Sequence, residues 1–418
     1  MLKTQKIASK KITQMRSSTE NTETIEPICE NLPKSGKILL YTYEFPPIPG
    51  GAGRYSLELA SGLADLGKEV FVLTVKRDDS DSLNDCNFPF KIYRMRRILG
   101  NKGKLLGMLY FLYYYWKIRP ACTLVTDRYS QQACGLASIL LNLKYVSTVH
   151  GSEVLLSCLN NIKGARLRKY LFKKLCHNAK NVIAVSNYTK SLLIENKIMT
   201  DNIEVIPNGI TAARFSCPAN PKKVSEIKAS HNINANDKVL LTLSVLKSRK
   251  GHDMVIQALS KVLEQFPNIK YVIAGCGSDL DRLRGLVHQH NLDGKVIFAG
   301  EVDEDDVIHY YDMCDVYVMP SRQDGAWVEG YGISFLEANA REKPVIGGRH
   351  GGVVEAIIDN ETGILVEPNS PEEIAQAIIK LLSDEKLAKR MGENGRDRCL
   401  SQLNWKNIVK QTLSVIEK

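Results

Sequence analysis

Residues 37–75, KILLYTYEFPPIPGGAGRYSLELASGLADLGKEVFVLTV, decide the fold. Lys37 to Thr42 is a short, apolar, β-rich run, and such a run ahead of a glycine-rich turn reads as a buried parallel strand. After the turn, Tyr55, Leu59, Leu63 and Leu66 recur at helical spacing, and the pattern stops at Gly67, a suitable C-terminal cap. Glu69 to Val75 is the next strand. The stretch is therefore a strand–loop–helix–strand unit.

Working outward, further strands are expected at 122–125, 144–149 and 181–185, with Ser186 placed to cap a helix running to about Ile198. This alternation builds an open parallel sheet, whose ligands bind beyond the carboxyl ends of the strands. Those ends carry Gly50 to Arg54, Asp127-Arg128-Tyr129, His150-Gly151-Ser152-Glu153 and Ser186-Asn187. Turn residues interrupt the pattern at Ile206-Pro207-Asn208-Gly209 and again at Ala219-Asn220-Pro221. A second strand series then begins at 238–243 and continues at 270–274, 295–299, 316–319, 344–346 and 363–366. Ser370-Pro371-Glu372-Glu373 supplies a cap, a first-turn proline and a capping-box glutamate for another helix. The expectation is α/β: two doubly wound domains, 37–206 and 221–400, joined by a linker at 207–220 and facing each other across a cleft. Residues 401–418 form a helix long enough to cross back onto the first domain.

A chain of 418 residues is long for one core and suits two domains plus a tail. Its 44% apolar and 24% charged residues describe a globular protein. The ten cysteines include no C-x-x-C pair and no spacing that suggests a disulfide framework or zinc cluster, so they read as reduced cytosolic thiols. Residues 1–36 are polar and lack an apolar signal core, and are expected to be a mobile tail. The net charge of +10 is uneven. Lys91 to Pro120 holds eight Lys or Arg and no acid, and Lys163 to Lys174 holds six and no acid. Met108 to Trp116 within the first run is too short to cross a bilayer and rich in interfacial aromatics. Two readings stand: a face peripheral to an anionic membrane, or a buried helix flanked by solvated charges. No nucleic-acid partner is expected.

In the second half, residues 319–352, MPSRQDGAWVEGYGISFLEANAREKPVIGGRHGG, hold two carboxylates, Glu329 and Glu337, separated by seven residues. Between them Gly330-Tyr331-Gly332 allows a loop to enter a helix with its backbone N–H groups facing an anion. An isolated pair of this kind also fits two solvated glutamates at a helix entry. The neighbouring motifs decide between the two.

Gly50-Gly51-Ala52-Gly53, His150-Gly151, Ile206-Pro207-Asn208-Gly209, Arg249-Lys250-Gly251, Glu329-Gly330-Tyr331-Gly332 with Glu337, and Pro344-Val345-Ile346 before Gly351-Gly352 occur in the order seen in glycosyltransferase family 4. Over Lys37 to Lys418 the chain resembles that family, and within it phosphatidylinositol mannosyltransferases and their relatives in polysaccharide assembly. The resemblance implies a GT-B fold with an acceptor-side first domain and a donor-binding second domain. It implies retaining transfer of a hexose or N-acetylhexosamine from a nucleotide-diphosphate sugar, such as GDP-mannose or a UDP-sugar, to a lipid-linked or polysaccharide acceptor. It also implies residue roles. Lys250 contacts the donor diphosphate, His150 lies near the transferred sugar, and Glu329 and Glu337 hold sugar and ribose hydroxyls. Gly50, Gly51 and Gly53 lie under the phosphates, the backbone from Gly330 through Tyr331, Gly332 and Ile333 seats them, and Val302 reads the base by its backbone. Glu153 and Asp127 are candidates for acceptor hydroxyls.

The sequence departs from the pattern once. Five positions before the lysine the family usually has an arginine, and this chain has Val245, which donates no hydrogen bond. Either Arg249 or another base replaces it, or leaving-group stabilisation is weaker, or the reaction is lost. Compensation by Arg249 is favoured, because the glycine loops and both carboxylates are present. The resemblance calls for no metal or other cofactor, and Asp79-Ser80-Asp81 and Asp279-Leu280-Asp281 fall in a polar loop and at a helix start. The alternatives are an epimerase-type enzyme on the same fold, a silent sugar-nucleotide-binding subunit, and a hydrolase with Glu329 and Glu337 as acid and base. Hydrolysis needs two carboxyls flanking one bond, whereas here glycines suited to phosphate surround them. The expected location is cytoplasmic, at the inner face of the membrane if the basic face is interfacial.

Overall fold

Strands that are apolar along their whole length must be covered on both faces, and the chain builds two such sheets. The computed structural model describes residues 36–48, 50–76, 85–96, 100–159, 165–199 and 201–418; the stretch read as a tail lies outside them. The first sheet holds β1 (Lys37–Tyr41), β2 (Glu69–Lys76), β3 (Lys91–Arg96), β4 (Cys122–Val125), β5 (Tyr145–Val149), β6 (Asn181–Ala184) and β7 (Ile203–Val205). They pair in parallel in the order β3-β2-β1-β4-β5-β6-β7. The helices between them are α1 (Gly51–Asp65), α2 (Gly100–Ile118), α3 (Arg128–Leu140), α4 (Ser152–Cys158), α5 (Ala165–Asn178) and α6 (Asn187–Glu195). One core layer joins Leu39, Phe111, Ala133 and Leu175 beneath α2, α3 and α5. The other joins Leu40, Leu59 and Leu63 to residues from the far end of the chain.

Two short helices, α7 (Ala212–Phe215) and α8 (Pro221–Ser230), lead into the second sheet. It comprises β8 (Lys238–Leu243), β9 (Ile269–Ala274), β10 (Val296–Gly300), β11 (Val316–Met319), β12 (Val345–Gly348) and β13 (Gly363–Val366). The order is β10-β9-β8-β11-β12-β13, again parallel. Its helices are α9 (His252–Leu263), α10 (Leu280–Gln289), α11 (Val307–Met313), α12 (Ile333–Ala340), α13 (Val353–Ala356), α14 (Pro371–Ser383) and α15 (Glu385–Ser401). The last helix, α16 (Trp405–Glu417), buries Trp405, Ile408, Val409 and Leu413 in the first domain's core against α1. Lys68 Nζ meets Glu417 at 2.9 Å at its end. The expected pair of doubly wound domains and the returning helix are present.

The strand orders fix where a ligand fits. In an open parallel sheet the crevice opens where neighbouring strands send their chains in opposite directions. Here that is between β1 and β4 in the first sheet and between β8 and β11 in the second. β3 and β7 had no counterpart in the sequence reading. The first alternates basic and apolar residues inside a cationic run, and the second has only three residues.

The Met108–Trp116 run lies in α2, which is two-sided. Met108 and Phe111 are buried, while Leu105, Leu109, Tyr113 and Trp116 are exposed.

Candidate active site

The two crevices share one cavity of about 570 Å³, within the usual range for a small-molecule site. Gly51, Asp127, His150 and Glu153 line it from the first domain, and Ser244, Arg249, Lys250 and Glu329 from the second. The domains touch at its edge. Gly330 packs under the His150 carbonyl so closely that a Cβ would collide with that oxygen. Ser152 Oγ lies 3.3 Å from the Val328 N–H. On a second line of contact, Glu355 of α13 accepts from Asn187 N at 2.8 Å, Asn187 Nδ2 at 2.8 Å and Tyr188 N at 2.9 Å. A carboxylate from one domain thus takes up free donors at the first turn of α6 in the other.

The charged centre is built by the turn after β8. Ser248–Lys250 forms one 3-10 turn that ends at Gly251, whose φ of +77° suits glycine. This turn aims two consecutive cations the same way: Arg249 Nη1 lies 2.9 Å and Lys250 Nζ 2.5 Å from Glu329 Oε2. Burial by itself would push the Glu329 carboxyl up. Lys250 and then Arg249 outweigh it and hold the group at about 2. Burial also draws the Lys250 ammonium below its ordinary value, and Glu329 opposes that shift. The trio carries one net positive charge in a partly dry wall.

Glu329 leads into α12, whose cap is Gly332 at φ +96°. Gly332, Ile333 and Ser334 line the cavity, so the helix N-terminus faces it. Tyr331 lines the cavity too, although its residue is almost wholly buried in the second domain's core. Glu337 lies one turn further on and accepts from Tyr311 Oη at 2.7 Å. Burial raises its pKa against the pull of Tyr311, Arg54 and Arg214. Glu337 and Val302 are not in the cavity wall. Val302, just beyond β10, packs against the second domain's core.

The glycine set divides. Gly51 lines the cavity, and a Cβ there would meet nothing within 4 Å, which leaves space for close backbone approach. Gly50 and Gly53 instead accommodate the turn: a Cβ would come within 2.8 Å of Glu44 Oε2 and 3.3 Å of the Ile48 carbonyl, respectively. His150 stands at the end of β5 with Nε2 3.0 Å from the Thr126 carbonyl and its ring edge-on to Tyr55. Glu153 accepts the His150 N–H at 3.1 Å.

Asp127 does not fit the candidacy for acceptor hydroxyls. Its carboxylate accepts from Thr42 Oγ1 at 2.8 Å, Tyr129 N at 2.7 Å, Ser130 N at 3.1 Å and the Tyr43 N–H. It caps α3 and pins the β1 loop. Sequence reading also passed over a third Asp-x-Asp triplet, Asp303-Glu304-Asp305, whose central Glu304 pairs with Arg54 at 2.6 Å and with Arg214.

Val245, where the resemblance calls for arginine, is 51% exposed in the cavity. Arg249, four residues later, is the guanidinium that reaches the Lys250–Glu329 pair.

Comparison with known proteins follows the same division into halves. Residues 49–214 match the model of glycosyltransferase family 4, and residues 223–398 match that of glycosyl transferases group 1. An uncharacterized glycosyltransferase of Methanocaldococcus jannaschii is 30% identical over 397 residues, spanning 91% of this chain and 97% of that protein. The chain belongs to the family 4 glycosyltransferases. Among its other relatives is the GDP-mannose-dependent alpha-(1-6)-phosphatidylinositol monomannoside mannosyltransferase of Mycobacterium tuberculosis, 28% identical over 395 residues and covering 89% of this chain and 96% of that one. The fold of this glycosyltransferase is shared with sucrose-phosphate synthase from Thermosynechococcus elongatus, at a TM-score of 0.77 and 23% identity over 92% of this chain and 98% of that one. It is an enzyme of the glycosyl-transfer class, which sets aside the epimerase and hydrolase readings.

Proposed function

We propose that the chain transfers a hexose or N-acetylhexosamine, with retention, from a nucleotide-diphosphate sugar to a lipid-linked or polysaccharide acceptor. The observation that carries this reading is the convergence of Arg249 and Lys250 on Glu329 beside the N-terminus of α12. As the sugar–phosphate bond breaks, negative charge grows on the departing diphosphate while the anomeric carbon becomes cationic. Two fixed cations and a helix N-terminus stabilise that leaving group in place, each well-aimed donor being worth about 2.7–4 kcal/mol. Lys250 acts as the main diphosphate contact and Arg249 stands in for the arginine missing at Val245. Glu329 orients both and remains ionised to bind sugar hydroxyls. His150 reaches the sugar from the opposite wall. Gly51 and the backbone of Gly330, Tyr331, Gly332 and Ile333 border the phosphates, while Glu337 and the Val302 backbone serve the nucleoside. No resident metal is required in this scheme.

The mannosyltransferase relative supports GDP-mannose as a first donor to try, with UDP-sugars next. A peripheral membrane contact belongs to the same reading. α2, α3 and α5 lie side by side, and they leave Trp116 64% exposed together with Leu109, Leu136, Ile139, Leu167 and Tyr170. Both basic runs fall on or beside these helices. Among the described residues no helix is long and apolar enough to cross a membrane.

Incubation with GDP-mannose and UDP-sugars tests the reading. Slow acceptor-independent release of nucleoside diphosphate is expected from one of them. Nucleotide binding with no turnover under any acceptor would instead mark a silent subunit.

A further inference from the structure

The mouth of the cleft carries side chains that donor binding leaves unused. On the second domain the chain reverses through Asp324-Gly325-Ala326-Trp327. Two backbone bonds close the turn, Asp324 N to Trp327 O and Trp327 N to Asp324 O, each 2.9 Å. The Ser248 hydroxyl donates to the Asp324 carboxylate, and the next residue, Val328, is bonded to Ser152 of the first domain. Trp327 is therefore braced from both sides of the cleft. The residue nevertheless stays 52% exposed in the cavity wall. An indole held open on a fixed turn offers a flat apolar face with an N–H at its edge.

The first domain contributes a cation. Arg128 and Tyr129, at the start of α3, line the same cavity. Tyr129 is 46% exposed and leans on Tyr43 with ring centroids 5.6 Å apart, and the Arg128 guanidinium lies 6.0 Å from the Tyr129 ring centroid. Arg249 and Lys250 pair with Glu329 and serve the donor in the reading above, whereas Arg128 has no ion-pair partner among the described residues. The adjacent Asp127 carboxylate is directed to its own four donors. Val245 adds apolar surface to the cavity and no charge.

We propose that this mouth is an acceptor subsite for a phosphorylated glycoside. The apolar C–H face of a pyranose stacks on Trp327, and Arg128 grips phosphate oxygens of the same acceptor through paired N–H donors. The proposal rests on the transfer reading above, which places the donor at Lys250 and leaves the mouth to the acceptor. Two sources present this chemistry, a soluble sugar phosphate and the headgroup of a lipid-linked glycan.

Calorimetric titration of the full chain, with UDP or GDP saturating to block the donor site, tests it. The probes are glucose, mannose and N-acetylglucosamine 1-phosphates, their methyl glycosides, inorganic phosphate, and the decyl phosphodiester of each sugar. At least one sugar phosphate should bind tenfold or more tightly than its methyl glycoside or phosphate alone. Trp327→Ala should weaken it at least tenfold and Trp327→Phe less than threefold. Arg128→Gln should erase the preference for the phosphorylated ligand without changing the methyl glycoside. Tighter binding of a decyl ester assigns the lipid-linked source, and equal binding the soluble one. The proposal is overturned if no sugar phosphate binds the wild type, or if either Trp327→Ala or Arg128→Gln binds it unchanged. Thermal shifts with UDP and GDP on every variant report the donor site separately. Their absence in the wild type would overturn the transfer reading, while the sugar-phosphate affinities would still decide the mouth.

Discussion

Lys250 Nζ lies 2.5 Å from Glu329 Oε2, the same oxygen that Arg249 reaches at 2.9 Å. Because Glu329 is held at about 2, it is a carboxylate at any working pH, and the two cations stay fixed around it.

Removing either cation separates its catalytic from its structural part. Lys250→Ala should lower turnover by about 10²–10³-fold, the loss of one preorganised donor to the leaving group. Arg249 still neutralises Glu329 in that variant. The folding cost should therefore stay below the roughly 3–5 kcal/mol of an orphaned buried charge. Arg249→Ala should cost about tenfold or more. An unchanged rate would end the idea that it compensates for Val245. EDTA should leave the wild-type rate as it is. Turnover assays paired with urea denaturation read both parts.

His252 predicts a pH dependence of stability. It is buried at the start of α9, with Nε2 3.2 Å from Ser244 Oγ and Nδ1 3.3 Å from Tyr271 Oη. Burial first, and the Lys250 charge second, lower its pKa from 6.5 to about 4. The unfolded chain takes up the proton near 6.5 and the folded one resists it until about 4. Stability is then complete above pH 6.5 and falls as pH drops towards 4, by about 3 kcal/mol for this group. Denaturation of wild type and His252→Gln at pH 7 and 4.5 should show the variant losing less. Parallel losses would contradict the sign.

Much of this architecture was legible because parallel strands announce themselves as continuous apolar runs, as at Lys37 and Lys238. The strand-end motifs were legible too, since Lys250, Glu329 and His150 each follow such a run. β3 was not, because its basic residues also fit a solvated surface. The division among glycines was equally hidden: Gly51 and Gly53 share a motif, and only their surroundings distinguish open space from a carbonyl. Nor does local sequence show that Glu355 caps a helix whose first two residues lie 168 and 167 positions away, or that Trp327 stays exposed. Those facts depend on how the domains meet.

The domain contact makes a prediction of its own. Alanine at Gly330 would drive a methyl group into the backbone carbonyl of His150, with no flexible side chain to yield. The strain can be relieved by parting the domains. Gly330→Ala should therefore enlarge the radius of gyration in X-ray scattering and lower turnover at least tenfold. Glu355→Ala removes three accepted hydrogen bonds without adding bulk. It should act in the same direction more weakly, at about 1–2 kcal/mol, comparable to loss of a helix cap. Unchanged scattering in both variants would mean that these contacts do not hold the cleft.

The exposed face of α2, α3 and α5 can be tested without any substrate. Leu105, Leu109, Tyr113 and Trp116 form one stripe along α2, and Lys117 lies over the Tyr113 ring at 5.6 Å. Apolar side chains at an interface contribute through burial, and each nearby Lys or Arg adds about 1 kcal/mol at an anionic surface. The electrostatic part is screened as the Debye length shrinks from about 10 Å at 0.1 M salt to about 3 Å at 1 M. Co-sedimentation with phosphatidylglycerol vesicles should be strong at low salt, weaker at high salt and slight with phosphatidylcholine alone. A variant combining Leu109→Ser, Tyr113→Ser and Trp116→Ser should lose most of the binding at low salt while keeping its nucleotide thermal shift, because none of the three lines the cavity. No binding to anionic vesicles even at low salt would assign the face to water and leave the basic runs as ordinary solvated charges.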